Sequence, residues 1–215
     1  MNEKAEAEET TSPFDVLDAS FIAAAGPTGS LPPPTLAEVA FAGRSNVGKS
    51  SMMNALMQRR GLVRTSSTPG YTRTVNQFGV RTRGGLDLLL VDLPGYGFAK
   101  RSKTEKKQWG PLLEGYLLGR PSLRLVVLLV DIRRGLEDDD WELLEFCEQP
   151  RPGNAPLATA VVATKLDLLP KNKRKPALAD LHQRSKRPVL GISAETGEGR
   201  LAVWKLIART VTGAE

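Results

Sequence analysis

The stretch Leu36–Arg59, LAEVAFAGRSNVGKSSMMNALMQR, decides the fold. Residues 36–42 form an apolar run that reads as a strand, and residues 50–59 read as a helix. Between them Gly43-Arg44-Ser45-Asn46-Val47-Gly48-Lys49-Ser50 fits G-x-x-x-x-G-K-[ST] in full, in the strand-to-helix context that gives the motif its meaning. Glycines let backbone N–H groups turn inward as a nest for phosphate oxygens. Lys49 supplies a point charge for the β- and γ-phosphates, the Ser50 hydroxyl suits Mg²⁺, and the helix start adds partial positive charge. The loop specifies a nucleoside triphosphate with Mg²⁺ and leaves the base open.

Outward from this unit the chain keeps alternating. Residues 74–82, 86–91, 123–130, 157–163 and 189–192 read as strands, and residues 103–118, 138–147, 172–185 and 201–211 as helices. The run at 123–130, LRLVVLLV, is apolar enough to be covered on both faces. The expected fold class is α/β, a mostly parallel central sheet with helices on both faces and ligands at the carboxyl ends of the strands. Residues 14–25 hold the short apolar stretch ASFIAAA, either an edge strand or a helix turn, and the proline-rich residues 26–34 form a linker. The division drawn is an acidic, disordered tail over residues 1–20 and a single domain over residues 21–213.

Two further motifs end strands. Asp92-Leu93-Pro94-Gly95 matches D-x-x-G, which suits Mg²⁺ through water at Asp92 and the γ-phosphate at the Gly95 N–H. Thr164-Lys165-Leu166-Asp167 offers a carboxylate that accepts from guanine N1–H and N2–H₂, a donor pair that adenine lacks. The stem of Lys165 can lie across the base plane. Ile192-Ser193-Ala194 follows, and the Ala194 N–H is placed to donate to guanine O6. GTP is therefore favoured over ATP. The loop before Asp92 carries several threonines, any of which could give Mg²⁺ a second protein contact.

The 215 residues are 40% hydrophobic and 25% charged, ample for a core without cross-links. Cys147 is the only cysteine, which excludes an internal disulfide and leads us to expect a buried thiol. No apolar run approaches a membrane span and the acidic N-terminus is wrong for a targeting peptide, so a cytoplasmic chain without membrane contact is expected. Residues 1–20 sum to −5, leaving +11 on the remainder of a chain whose net charge is +6. Such a body favours polyanionic partners. His182, the only histidine, suggests no catalytic base.

GRSNVGKSS, TPGYTR, VDLPGYGFAK, TKLD and SAETGEG, in this order, resemble the EngB (YihA/YsxC) family of Era/TrmE-like GTPases. The resemblance implies a P-loop NTPase G domain that binds GTP and GDP with Mg²⁺. It implies a switch that assists large ribosomal subunit assembly in bacteria, with a link to cell division and septation. It adds nucleotide contacts at Gly70, Tyr71, Thr72, Arg73 and Thr74, and it picks Thr72 as the second Mg²⁺ ligand beside Ser50. Tyr71 and Arg73 depart from the family's usual Lys or Arg and Gln. Lys49, Asn46, Thr72 and Gly95 are the residues expected to act in hydrolysis. Asn46 stands where related GTPases use asparagine to help bind K⁺, although asparagine is also a common turn former.

Tyr96 follows Gly95 where many hydrolytic switches carry glutamine. A phenol cannot present the separate donor and acceptor of an amide to water, so slow intrinsic turnover and an external activator are expected. Basic clusters at 59–64, 100–107, 171–175 and 184–187 fit the precursor of the large ribosomal subunit and its rRNA, met by a monomer through backbone contacts. The alternatives are a GTPase acting directly on the division apparatus, and a metabolic P-loop kinase. The guanine motif and the two switch-like loops argue against the kinase.

Overall fold

The computed structural model describes residues 11–26, 29–64, 74–96 and 113–213. Its strands are β1 (Val16–Ala25), β2 (Glu38–Gly43), β3 (Val75–Thr82), β4 (Asp87–Asp92), β5 (Leu123–Asp131), β6 (Ala158–Thr164) and β7 (Val189–Gly191). Its helices are α1 (Lys49–Leu56), α2 (residues 113–119), α3 (Asp138–Cys147), α4 (Lys171–Ser185) and α5 (Arg200–Thr212). The strands form one sheet in the order β1-β3-β4-β2-β5-β6-β7. Strands β4, β2, β5, β6 and β7 pair in parallel, and β3 runs antiparallel to both of its neighbours. The mostly parallel α/β architecture is the one expected.

Period-two alternation explains the layers. Val39 and Phe41 of β2, with Leu125, Val127 and Leu129 of β5, pack against Met52, Met53 and Leu56 of α1 and Trp204 and Ile207 of α5. The intervening Ala40, Ala42 and Val126 face Tyr116 and Leu117 of α2 and Cys147 of α3. Leu128 and Val130 meet Leu144 of α3 and Leu181 of α4. The central strands are thus buried on both faces, as the unbroken run in β5 foretold. Cys147 is buried, as expected. Among the described residues no helix is long and apolar enough to cross a membrane.

Three expectations need adjustment. The sheet begins at Val16, inside the segment 1–20 assigned to the tail. Val16 is buried and β1 zips along β3, with Phe21 edge-on to Phe78 at 5.8 Å between ring centroids. Second, α1 stops at Leu56 rather than Arg59, because Trp204 Nε1–H claims the Leu56 carbonyl at 3.0 Å and Gln58 turns to φ +54°. Gln58 then accepts the Val16 N–H at 2.7 Å, locking the edge strand to the end of the helix. Third, of the helix expected over 103–118 only the part from 113 onward lies in the described residues, where it runs to 119.

At the amino end of β2 the fully buried Glu38 carboxylate accepts from the Tyr116 hydroxyl (2.7 Å), the Ser122 hydroxyl (2.8 Å) and the Gln77 amide (3.2 Å). Arg120, just past α2, completes the set with an ion pair of 2.6 Å. Two segments distant in sequence, residue 77 of β3 and residues 116–122, meet on one carboxylate. Burial, followed by the Glu38 charge, pushes the Tyr116 phenol well above its usual range.

Candidate functional site

The carboxyl ends of β2, β4, β5, β6 and β7 lie along one edge of the sheet, and the phosphate loop, the D-x-x-G segment, residues 164–167 and residues 192–194 follow strands that end there. Gly43 ends β2, where a Cβ would sit 2.9 Å from the Leu129 carbonyl and 3.0 Å from Val47 Cγ1, so only glycine lets the loop leave the strand. Gly48 caps α1 at φ +97°, and Asn46 also takes a left-handed φ of +64° with its side chain exposed. This is the conformation that asparagine tolerates best after glycine. Lys49 and Ser50 open the helix.

Lys49 and Asp92 form an ion pair in which both side chains are buried, 8% and 2% exposed as residues. The two charges that the sequence assigned to phosphate and to Mg²⁺ therefore neutralise one another across the cleft. Leu93 and Pro94 are buried behind them. Gly95 lies against the phosphate loop so closely that a Cβ would stand 3.0 Å from Ser45 Oγ. Thr74 stands at the mouth of β3, where its hydroxyl donates to Asn76 Oδ1 at 2.7 Å. Gly70, Tyr71, Thr72 and Arg73 lie outside the described residues, as does the basic segment 100–107.

The base motif is built onto the phosphate loop itself. Thr164 Oγ1 lies 2.6 Å from the Val47 carbonyl. Lys165, at φ +59°, sends its ammonium back to the Asn46 carbonyl at 2.7 Å and to Asp131 at 3.0 Å. Asp131 ends β5 and escaped the sequence reading; its one signal was its place at the close of an apolar strand. The Arg133 guanidinium, helped by Lys165, holds its carboxyl well below the usual range despite partial burial.

Asp167 follows in a turn of 3₁₀ helix and accepts from the Ser193 hydroxyl at 2.6 Å. The Ser193 oxygen in turn accepts the Thr196 N–H at 3.1 Å, and Leu166 N–H donates to the Ile192 carbonyl at 3.2 Å. Gly199, at φ +85°, lets this loop return, for a Cβ there would fall 1.9 Å from the Gly191 carbonyl. Gly48, Thr164, Lys165, Asp167, Ile192 and Ala194 together line a cavity of about 160 Å³. A carboxylate, the Lys165 side chain and the turn at 192–194 thus share one lining.

The sequence marks Tyr96 only for what a phenol lacks beside a glutamine. Its hydroxyl donates to Asp140 Oδ1 at 2.7 Å, so the phenol is engaged with α3. Arg44 of the phosphate loop reaches Glu137 and Asp139 at the same helix end, each at 3.2 Å. The sequence pattern gives residues 138–147 as a helix and assigns no role to its acidic start.

The basic clusters separate by local pairing. Arg174 binds Glu198 at 2.7 Å, Arg187 pairs with Glu148, and Arg59 donates to the Leu17 carbonyl at 3.0 Å. Lys171, Lys173, Lys175 and Lys186 are exposed, as are Arg60 and Arg64. His182 is exposed, with Nδ1 2.6 Å from the Arg187 carbonyl.

A family model described as 50S ribosome-binding GTPase matches residues 38–165. A probable GTP-binding protein EngB of Geobacter metallireducens is 47% identical over 195 residues, covering 89% of this chain and 91% of that protein. Two solved structures share the fold. One is a probable GTP-binding protein EngB, with TM-score 0.61, 23% identity, and coverage of 82% of this chain and 100% of that one. The other is Era in complex with MgGDPNP and nucleotides 1506–1542 of 16S ribosomal RNA, with TM-score 0.66, 23% identity, and coverage of 82% and 57%.

Proposed function

Because the chain belongs to the EngB family of GTP-binding proteins and is a P-loop GTPase, we propose that it is a Mg²⁺-dependent switch that assists large ribosomal subunit assembly, and through it normal division and septation. The observation that carries the reading is the meeting of three motifs at one sheet edge, with Thr164 and Lys165 of the guanine motif bonded to the phosphate loop. In this reading Gly43 to Ser50 cradle the phosphates and Asp167 selects guanine. Ala194 serves O6, and the Gly95 N–H senses the γ-phosphate.

The donor set fits Mg²⁺. Once Lys49 turns to phosphate, the buried Asp92 carboxylate loses its cation, and a hard divalent ion restores the balance beside the Ser50 hydroxyl. Ser50 and Thr72 would hold the ion directly and Asp92 through water. The ion supplies charge neutralisation of the β- and γ-phosphates. Asn46 is the candidate K⁺ contact, although its left-handed backbone alone accounts for an asparagine there. The Tyr96 hydroxyl is bound to Asp140 and so is not offered to an attacking water. This supports slow intrinsic turnover completed by an external partner.

The family model's description and Era's solved complex support an rRNA partner, and the exposed lysines of α4 suit its backbone. The test is co-sedimentation with large-subunit precursors at graded salt, with GDP and with a non-hydrolysable GTP analogue. Salt-sensitive binding that favours the GTP analogue is expected. Equal binding in both states would refute the switch, since a ligand without differential affinity shifts nothing.

A further inference from the structure

The contacts between the D-x-x-G segment, the phosphate loop and α3 go beyond nucleotide binding. Asp140 is 1% exposed, and both of its oxygens are committed. Oδ2 accepts the Glu137 N–H at 2.9 Å, which fixes the carboxylate to the first turn of α3, and Oδ1 accepts the Tyr96 hydroxyl at 2.7 Å. The helix is itself seated in the core by Leu144 and Cys147. On the backbone side, Ser45 N–H donates to the Tyr96 carbonyl at 3.2 Å, and Arg44 and Tyr96 form a parallel bridge. Gly95 is thereby pressed against Ser45. Arg44 adds its own ties to Glu137 and Asp139. The phosphate loop and the root of the second switch share one anchor, the amino end of α3.

We infer that Asp140 is a positioning residue for γ-phosphate recognition: by holding the Tyr96 hydroxyl it docks Gly95 on the phosphate loop, so that the protein tells GTP from GDP. The inference rests on the proposed function, in which the Gly95 N–H meets the γ-phosphate. A segment ordered before the ligand arrives does not charge its ordering to the binding step. GDP has no group at that position, so its affinity does not draw on the tether. Burial, reinforced by the neighbouring Asp140, also raises the Tyr96 phenol well above its ordinary range, which keeps it a hydrogen-bond donor throughout the physiological range.

The test is Tyr96→Phe, which keeps the ring and removes only the hydroxyl. The affinity for a non-hydrolysable GTP analogue should fall about tenfold, the equivalent of about 1.4 kcal/mol. GDP affinity, measured by calorimetry in the same buffer, should change by less than about twofold (well under 1 kcal/mol). Asp140→Ala should lower the GTP-to-GDP affinity ratio in the parent chain and leave it unmoved in the Tyr96→Phe background, because the two groups act through one bond. Equal losses for both nucleotides in Tyr96→Phe would overturn the inference as mere packing, and an unchanged ratio would overturn it outright. A parent chain that binds no guanine nucleotide would instead overturn the proposed function, and this inference with it.

Discussion

Replacing Asp167 by asparagine tests the base-selecting role most sharply. In the native chain the Ser193 hydroxyl donates to Asp167 Oδ1 at 2.6 Å. After Asp167→Asn that hydroxyl keeps a carbonyl oxygen at the Oδ1 position, so the amide NH₂ occupies the second. Guanine would then present N–H donors to one acceptor and one donor. One charge-assisted bond is lost and the other weakened, together about 2–4 kcal/mol, and the opposed donors add about 1–3 kcal/mol for a buried unpaired group. The sum, about 3–7 kcal/mol, lowers GDP affinity by about 10²–10⁵. Xanthine keeps N1–H and carries a carbonyl at C2, which matches the amide's acceptor and donor. Calorimetry with GDP and xanthosine diphosphate should therefore show the order reversed in the variant. GDP affinity within about tenfold of the parent, which is about 1.4 kcal/mol, with no gain for xanthine, would refute the assignment of Asp167 to the base.

Other outcomes follow from the same geometry. Glu38→Gln removes the charge that four groups share and leaves Arg120 nearly buried beside a neutral amide. Urea unfolding should show a loss of about 3–5 kcal/mol, and a loss under about 1 kcal/mol would contradict the network's role. Gly199→Ala meets both a left-handed φ and the Gly191 carbonyl, so at least about 2 kcal/mol should be lost, together with guanine binding. Burial pushes the Cys147 thiol up to about 12, so at pH 8 it should resist Ellman's reagent until the chain is unfolded. Because the folded pKa lies above the unfolded value of about 8.5, the native state binds more protons through that window. Stability should therefore fall as pH rises from about 8.5 towards 12, and Tyr96 and Tyr116 act in the same direction. A stability that rises over this range would contradict that burial.

Much of this was legible in the chain because the signals are local. An apolar run before a glycine loop is a constraint within a few residues, and the strand limits at β2, β5 and β6 agree with the pattern closely. The end of α1 did not, since its stop depends on Trp204, far along the chain. Nor did the start of the sheet. Residues 14–25 were ambiguous because an edge strand with one exposed face has a weak period, and only pairing with β3 resolves it.

By itself the sequence determined the alternation of elements, the phosphate loop, the guanine motif and the family, because each is written in residue types at fixed short spacings. The tertiary structure alone decided which charges meet. Lys165 reaches Asn46 across 119 positions and Tyr96 reaches Asp140 across 44, and neither spacing carries a signal. Those contacts exist because β2 lies between β4 and β5 and runs parallel to both, with β6 parallel beside β5, so the loops after β2, β4, β5 and β6 emerge side by side at one edge. Strand order is set by the summed burial of both sheet faces, a property that no single stretch of chain contains.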